Sequence, residues 1–122
     1  MKIKSTLVAA TLLAASVNAF AGDWTKADTA REIAFDAELV MDHQQTLYIH
    51  QHYPQYHELN PILGSNPSSG AVDRYFFASA LGHYAISYFL PPSYRGVWQY
   101  VTLGVEGSVV YHNYSIGIRA PF

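Results

Sequence analysis

The sequence predicts an all-α protein: a small bundle of three helices that follows a signal peptide, with the last two helices forming an antiparallel transmembrane hairpin. Three observations support this prediction. Residues 24–53 contain neither glycine nor proline, residues 75–94 carry no charged side chain, and breaks rich in proline and glycine separate the long segments. Long uninterrupted segments with such breaks between them favour helices over strands.

The composition excludes several classes of protein. The chain has 122 residues, of which 50% are hydrophobic and 13% are charged, and it contains no cysteine. This apolar content excludes a disordered chain, and the length suits one domain. A formal net charge of -2 without a run of Lys or Arg excludes the basic surface of a nucleic-acid-binding protein. The absence of cysteine excludes disulfides and thiolate chemistry.

The first 21 residues have the pattern of a signal peptide. Lys2 and Lys4 precede an apolar stretch over residues 5–17, and Ala19 and Ala21 provide the small side chains that signal peptidase requires. We therefore expect cleavage before Gly22 and a single helical membrane domain over residues 22–122. The apolar stretch is short compared with the roughly 20 residues of a spanning helix. An uncleaved N-terminal anchor is the alternative.

Residues 24–53 are predicted to form the first helix. Thr25 and Asp28 have the spacing of a capping box, in which each side chain bonds the other residue's backbone. Apolar residues at helical spacing then predict the buried face. That predicted face consists of Ile33, Ala37, Val40, Met41, Gln44 and Tyr48.

The second half of the chain carries the predicted hairpin. A loop over residues 54–70 leads to helices over about residues 71–90 and 93–116, with Pro91 and Pro92 forcing the break between them. A helix of about 20 residues is about 30 Å long, which matches the hydrocarbon core of a bilayer. A soluble periplasmic bundle is the alternative, because Tyr, His and Ser are scattered through residues 75–90. The acids of the first helix make insertion costly, so its depth stays open.

Polar residues on these apolar helices are the candidate site. Ionisable groups at membrane depth are costly and are usually paired, so we expect a contact between Glu106 and His83 or between Glu106 and an arginine. A buried network that fixes how the helices pack is the favoured interpretation of these residues. The predicted network consists of Asp42, Thr46, Glu58, Asn60, His83, Glu106 and Asn113.

Six histidines raise the question of a metal site. His43 with Asp36, and His57 with Glu58, could supply imidazole and carboxylate ligands. The sequence nevertheless lacks a His-Glu-Xaa-Xaa-His pattern, and no glycine-rich phosphate loop or serine-nucleophile elbow is present. We therefore expect no metal, no cofactor and no catalytic residue.

One loop carries a resemblance. Glu58, Asn60, Pro61 and Gly64 form a Glu-Xaa-Asn-Pro-Xaa-Xaa-Gly motif between a helix with Asp42 and Thr46 and two helices with polar residues. This arrangement resembles small uncharacterised bacterial or phage-borne helical membrane proteins over about residues 30–119. The resemblance implies a membrane location and no known reaction.

The sequence therefore favours an exported small integral membrane protein of the bacterial inner membrane that acts as a structural or interaction module. The expected partners are the lipid bilayer and, beyond it, another membrane protein or a second copy of the chain, with no nucleic acid. Three alternatives stay open. They are a membrane-embedded metal or acid–base enzyme that uses Asp42, Glu58, His83, Glu106 and His57, a small transport or proton-conducting oligomer with Glu106 and His83 as a pore-lining pair, and the soluble periplasmic bundle.

Overall fold

The computed structural model describes residues 23–122, which form three α-helices and no strand. The helices are α1 (Lys26–Gln51), α2 (Ser69–Phe89) and α3 (Pro92–Ser115). The predicted all-α bundle of three helices is thus confirmed. The predicted signal peptide, residues 1–21, lies outside the described residues.

Local side-chain hydrogen bonds set where α1 and α2 begin. At the start of α1 the Thr25 hydroxyl accepts a hydrogen bond from the backbone N–H of Asp28, and the Asp28 carboxylate accepts one from the backbone N–H of Thr25. This is the predicted capping box, which satisfies two N–H groups that have no partner within the helix. The hydroxyl of Ser68 caps α2 in the same way through the backbone N–H of Ala71.

The two breaks between helices have different physical causes. Between α1 and α2 the Glu58 carboxylate accepts hydrogen bonds from the backbone N–H groups of Leu59 and Asn60, and Gly64 takes a φ of 77° that favours glycine. Between α2 and α3 the chain turns at Leu90 and Pro91, because Pro92 has no N–H to continue a helix. Pro92 instead occupies the first turn of α3, where a missing N–H costs nothing.

α1 is the centre of the bundle. It packs most extensively against α3 and next against α2, whereas α2 and α3 contact each other least. Arg95 at the start of α3 bonds Asp28 at the start of α1, and Asn113 near the end of α3 bonds Asp42 on α1. α1 and α3 therefore run in the same direction and α2 runs between their opposite ends. We call these ends the turn end, beside residues 90–91, and the loop end, beside residues 52–68.

None of the three described helices contains a stretch both long enough and apolar enough to cross a membrane.

The buried face of α1 differs from the predicted one. Ile33 and Val40 are 64% and 51% exposed, whereas Glu32, Gln45 and Thr46 are buried. The predicted buried face of α1 is therefore wrong. Ile33, Ala37 and Val40 lie on one side of the helix, as their spacing predicts, but that side is exposed. The apolar core is small and consists of Phe35, Leu39, Val72 and Phe76.

Candidate functional site

Two clusters of polar side chains fill most of the interior, one toward each end of the bundle. The turn-end network joins all three helices through charged and polar groups, most of which are buried. It consists of Asp28, Arg31, Glu32, His83, Ser87, Arg95, Gln99 and Thr102. The carboxyl cluster lies toward the loop end and consists of Glu38, Asp42, Gln45, Thr46, Glu58, Glu106 and Asn113.

Arg95 anchors the turn end. Its side chain is 2% exposed, and its Nε donates a hydrogen bond of 2.7 Å to the carbonyl of Ser87. Its Nη2 donates to the carbonyl of Leu90 at 3.1 Å, and its Nη1 lies 3.4 Å from the Asp28 carboxylate. The Trp24 ring stacks over the guanidinium, 4.9 Å away. One side chain therefore joins the end of α2 to the starts of α1 and α3.

Glu32 is the acceptor at the middle of the turn-end network. One carboxylate oxygen accepts a hydrogen bond from the Ser87 hydroxyl and a second, of 2.7 Å, from the Gln99 amide. The other oxygen lies 2.9 Å from Nδ1 of His83. The carboxylate of a buried acid is tolerated only when such donors surround it, so these bonds explain how Glu32 is accommodated in the interior.

His83 connects Glu32 to α3. Its ring stacks on Phe35, with a centroid distance of 3.7 Å, and its Nε2 lies 2.7 Å from the Thr102 hydroxyl oxygen. That hydroxyl also lies 2.8 Å from the carbonyl oxygen of Trp98. The Glu32 carboxylate can only accept hydrogen bonds, so Nδ1 of His83 donates to it.

The order hydroxyl, imidazole, carboxylate in Thr102, His83 and Glu32 is the order found in nucleophilic hydrolase triads. Here the Thr102 hydroxyl is also bonded to the carbonyl of its own helix, and the large cavity described below is lined by other residues. A nucleophile needs a site beside it where a reacting atom can lie. The three side chains link α1, α2 and α3 to one another.

The carboxyl cluster is built around Asp42 and Glu106, which face each other across the contact between α1 and α3. Both side chains line the same cavity. The Asn113 amide donates to Asp42 at 3.3 Å and to Gln45 at 3.2 Å, which holds the pair in place.

Further acids surround this pair. The Thr46 hydroxyl donates to Glu58 at 3.4 Å, which brings the loop carboxylate toward Asp42. One carboxylate oxygen of Glu38 and one of Glu106 are buried without a hydrogen-bond partner. Glu38 reaches the backbone of α3 at Gly107, where a side chain would come within 2.9 Å of its carboxylate. The cluster thus contains four acidic side chains and no basic one.

A cavity of about 490 Å³ opens beside the carboxyl cluster. Asp42, Glu58 and Glu106 form its acidic side. The other walls are mainly apolar, with His57 and His112 among the polar exceptions. Apolar walls with a few convergent polar groups are typical of ligand pockets. The apolar walls consist of Ile49, Leu59, Tyr75, Val109, Ile116 and Ile118.

The structure brings most of the predicted network together. Asp42, Thr46, Glu58, Glu106 and Asn113 form the carboxyl cluster, and the loop places Asn60 in the wall of the adjoining cavity. His83 does not join them.

The predicted contact between Glu106 and His83, or between Glu106 and an arginine, is wrong. His83 bonds Glu32 and Thr102, and Glu106 faces Asp42 instead. The physical reason is that Glu32 lies on the buried face of α1 that packs against α2, so it is the acid within hydrogen-bonding distance of His83.

Sequence reasoning missed four buried members of the turn-end network: Glu32, Ser87, Arg95 and Gln99. One signal could have identified Arg95, because it is the single charged residue between positions 75 and 105. A lone charge within an apolar segment points to a buried partner.

Two of the residues proposed as metal ligands, His43 and Glu58, have other partners in the structure. His43 pairs with Asp73 at 2.7 Å and not with Asp36. Over residues 23–122 there is no group of three or more His, Asp or Glu side chains that could hold a metal ion.

Comparison with known proteins adds no relative. No protein-family model, no curated protein and no solved structure matches the chain.

Proposed function

We propose that the three-helix unit is a small integral membrane protein that acts as a structural or interaction module, with its apolar outer surface in contact with lipid. The observation that supports this proposal is the inverted distribution of side chains. Polar groups fill the interior and large apolar groups cover the exterior. A soluble domain of this size has the opposite arrangement.

The interior is polar to an unusual degree. Five of the six largest fully buried side chains are polar, and the sixth is Val72. Lys, Arg, Glu and Asp are almost never fully buried unless they are paired. The five polar side chains are Arg95, Gln45, Gln99, Thr46 and Ser87.

The exterior of the two C-terminal helices is apolar over most of their length. On α2, Phe77 and Phe89 are 59% and 81% exposed, and on α3 Val97 and Val105 are 61% and 60% exposed. A contiguous exposed apolar surface marks contact with a membrane or a partner. Other exposed residues on these helices are Leu81, Ile86, Tyr94, Tyr100, Val101, Val109, Tyr111 and Tyr114.

The inverted distribution explains how such helices can have modest average hydropathy and still suit a membrane. An average along a helix includes the inward side chains of His83, Arg95 and Gln99, which are buried. Lipid contacts only the outward face. Membrane proteins tolerate polar residues in their helices when these residues face the interior of the bundle.

All but one of the exposed charged residues lie at the ends of the bundle. Lys26 lies at the turn end, and Asp73, Arg74 and Arg119 lie at the loop end. Asp36 is the exposed charge that lies between the two ends of α1. Charged side chains at the two ends of a bundle can reach water or lipid headgroups.

Membrane fractionation tests the proposal directly. Full-length protein, expressed in a bacterial host with a C-terminal topology reporter, is expected to stay in the membrane pellet after a carbonate wash. Recovery of the processed chain in an osmotic-shock supernatant would overturn the proposal and favour the periplasmic bundle.

A lysine placed on the outward face of α3 gives a sharper test. Val101 is 57% exposed near the middle of the helix, so Val101→Lys would change the stability of a water-exposed helix by no more than about 0.5 kcal/mol. In lipid the same change costs about 2.5–3.5 kcal/mol. We expect Val101→Lys to reduce the amount of membrane-integrated protein markedly.

Ser93→Lys is the matched control, because Ser93 is exposed in the first turn of α3, where a lysine reaches the interface. Both variants are measured by carbonate-resistant yield and by thermal unfolding in detergent. Equal behaviour of the two variants would show that the face around Val101 does not contact lipid.

A second candidate function is favoured by the cavity. An acid–base or binding site there would use Asp42, Glu58 and Glu106, which converge on one side of it. His83 takes no part in this version, because it lies in the turn-end network. Binding of small organic cations to purified protein, measured by calorimetry with Asp42→Asn as the comparison, tests this candidate.

A further inference from the structure

We propose that residues 116–119, which follow α3, are a gate on the cavity: the side chain of Ile118 closes it, and release of this segment from the bundle gives a ligand access to the acidic wall. We call these residues the closing segment. The inference rests on the second candidate function, because a gate matters only where a site binds something, and it adds how access to that site is controlled.

A tight turn at the end of α3 directs the closing segment back onto the bundle. Gly117 has a φ of 97°, which favours glycine, and its N–H donates a hydrogen bond to the carbonyl of Tyr114 at 3.2 Å. The N–H of Ile118 donates to the carbonyl of Asn113 at 2.9 Å. These two bonds are those of a Schellman motif, which ends a helix and reverses the chain. The turn therefore holds Ile118 beside the last turns of α3.

Ile118 is a buried apolar side chain in the wall of the cavity. It is 3% exposed, and so is Ile49 of α1, which lines the same cavity. Solvent therefore scarcely reaches this part of the wall. The neighbouring residues of the closing segment differ, because Ile116 is 49% exposed and Arg119 is also exposed. Within the segment, Ile118 is thus the side chain that is inserted into the bundle.

Few interactions hold the closing segment against the rest of the bundle. The Tyr56 hydroxyl donates to the carbonyl of Ile116 at 3.3 Å, and over residues 23–122 this is the one hydrogen bond that joins the segment to an element other than α3. Both Schellman bonds run to α3 itself, and Arg119 bonds the carbonyl of Tyr114. A region with so few contacts opens more readily than packed helices do.

The loop on the other side of the cavity is held more firmly. The Glu58 carboxylate accepts hydrogen bonds from the backbone N–H groups of Leu59 and Asn60 and from the hydroxyl of Thr46 on α1. The backbone N–H of Glu58 also donates to the carbonyl of Ser65 at 2.9 Å. The closing segment is therefore the part of the wall that we expect to open first.

Two substitutions loosen the closing segment without changing any residue in the cavity wall. Tyr56→Phe removes the hydrogen bond to Ile116, and Gly117→Ala adds a Cβ that would lie 2.9 Å from the Tyr56 hydroxyl oxygen. Gly82→Ala is the control for the glycine, because nothing lies within 4 Å of the added Cβ. Tyr94→Phe is the control for the tyrosine, because Tyr94 is 66% exposed at the turn end.

Cysteine modification of the full chain measures access to the cavity, and the chain has no cysteine of its own. Ile49→Cys places the thiol in the cavity wall, where it is treated with a small cationic methanethiosulfonate reagent. Val72→Cys, at a fully buried core position outside the cavity, reports general unfolding, and Tyr111→Cys, at a position 74% exposed, reports free access. Hydrogen exchange of the Ile118 backbone N–H gives a second readout that needs no cysteine.

We expect Ile49→Cys to react far more slowly than Tyr111→Cys when the closing segment is intact. Tyr56→Phe should speed the reaction of Ile49→Cys by about 2–10-fold, the weight of one hydrogen bond, and Gly117→Ala should speed it further. The reaction of Val72→Cys should stay unchanged. The Ile118 N–H should lose protection in the same two variants and keep it in both controls.

Two results would overturn the gate. One is equal acceleration at Ile49→Cys and Val72→Cys, which would mean that the whole bundle loosens. The other is unchanged modification of Ile49→Cys and unchanged exchange of the Ile118 N–H in Gly117→Ala. If Ile49→Cys fails to fold, the exchange measurement alone decides. Neither readout uses a ligand, so failure of the gate is distinguishable from failure of the candidate binding site, which calorimetry tests.

Discussion

Arg95→Met should lower the free energy of unfolding by about 3–5 kcal/mol, the cost of removing one partner from a buried ionic contact. Methionine keeps much of the side-chain volume but has no donor. The carbonyl oxygens of Ser87 and Leu90 would then lose a buried partner, and Arg31 would be the remaining basic partner of Asp28. Since these groups lie at the junction of all three helices, unfolding in detergent should also become less cooperative.

Two further variants separate the role of Arg95 from a general effect of charge. Arg95→Lys should recover only part of the loss, because one ammonium group cannot reach the carbonyls of α2 and the carboxylate of α1 together. Arg119→Met is the matched control, because Arg119 is exposed and lies over the Tyr114 ring. If Arg95→Met and Arg119→Met unfolded at the same temperature, the guanidinium would not be the anchor described here.

The ends of the helices were accessible to sequence analysis because their causes are local. The capping box of Thr25 and Asp28 involves residues three apart, and the break before α3 follows from the chemistry of Pro92 alone. Such signals do not depend on the rest of the fold. The three-helix, all-α architecture could therefore be predicted from the sequence.

The direction in which each helix faces could not be predicted in the same way. Helical spacing shows that Ile33, Ala37 and Val40 lie near one another on the surface of α1, but it does not show which side is buried. The usual assumption that apolar faces point inward fails for this bundle, since Glu32, Gln45 and Thr46 occupy the interior. An environment that accepts apolar surface removes the physical basis of that assumption.

The candidate site was predictable as a set of residues but not as a set of pairs. Asp42 and Glu106 stand out as acids on otherwise apolar faces, yet their position in the wall of one cavity depends on α1 and α3 running in the same direction. The predicted pair of His83 and Glu106 requires α2 to lie against α3. In the structure α1 contacts both helices more extensively than they contact each other, so Glu32 is the partner of His83.

The same position of Glu32 leads to the second large effect. Glu32→Ala should destabilise the protein by about 3–5 kcal/mol, because the His83 ring, the Ser87 hydroxyl and the Gln99 amide would all lose their common acceptor. Alanine is a good helix former, so a loss of this size would come from the network and not from the backbone. Thermal and denaturant unfolding in detergent measure it.

Asp36→Ala is the matched control for Glu32→Ala, since Asp36 lies one turn further along the same helix with an exposed side chain. We expect it to change stability by no more than about 0.5 kcal/mol. A double-mutant cycle between Glu32→Ala and Ser87→Ala should show a coupling of about 0.5–3 kcal/mol, as for groups in one hydrogen-bond network. Additive effects would mean that Ser87 and Glu32 stabilise the bundle independently. The polar interior would then be a collection of separate contacts, and the network would not be what holds three outwardly apolar helices in register.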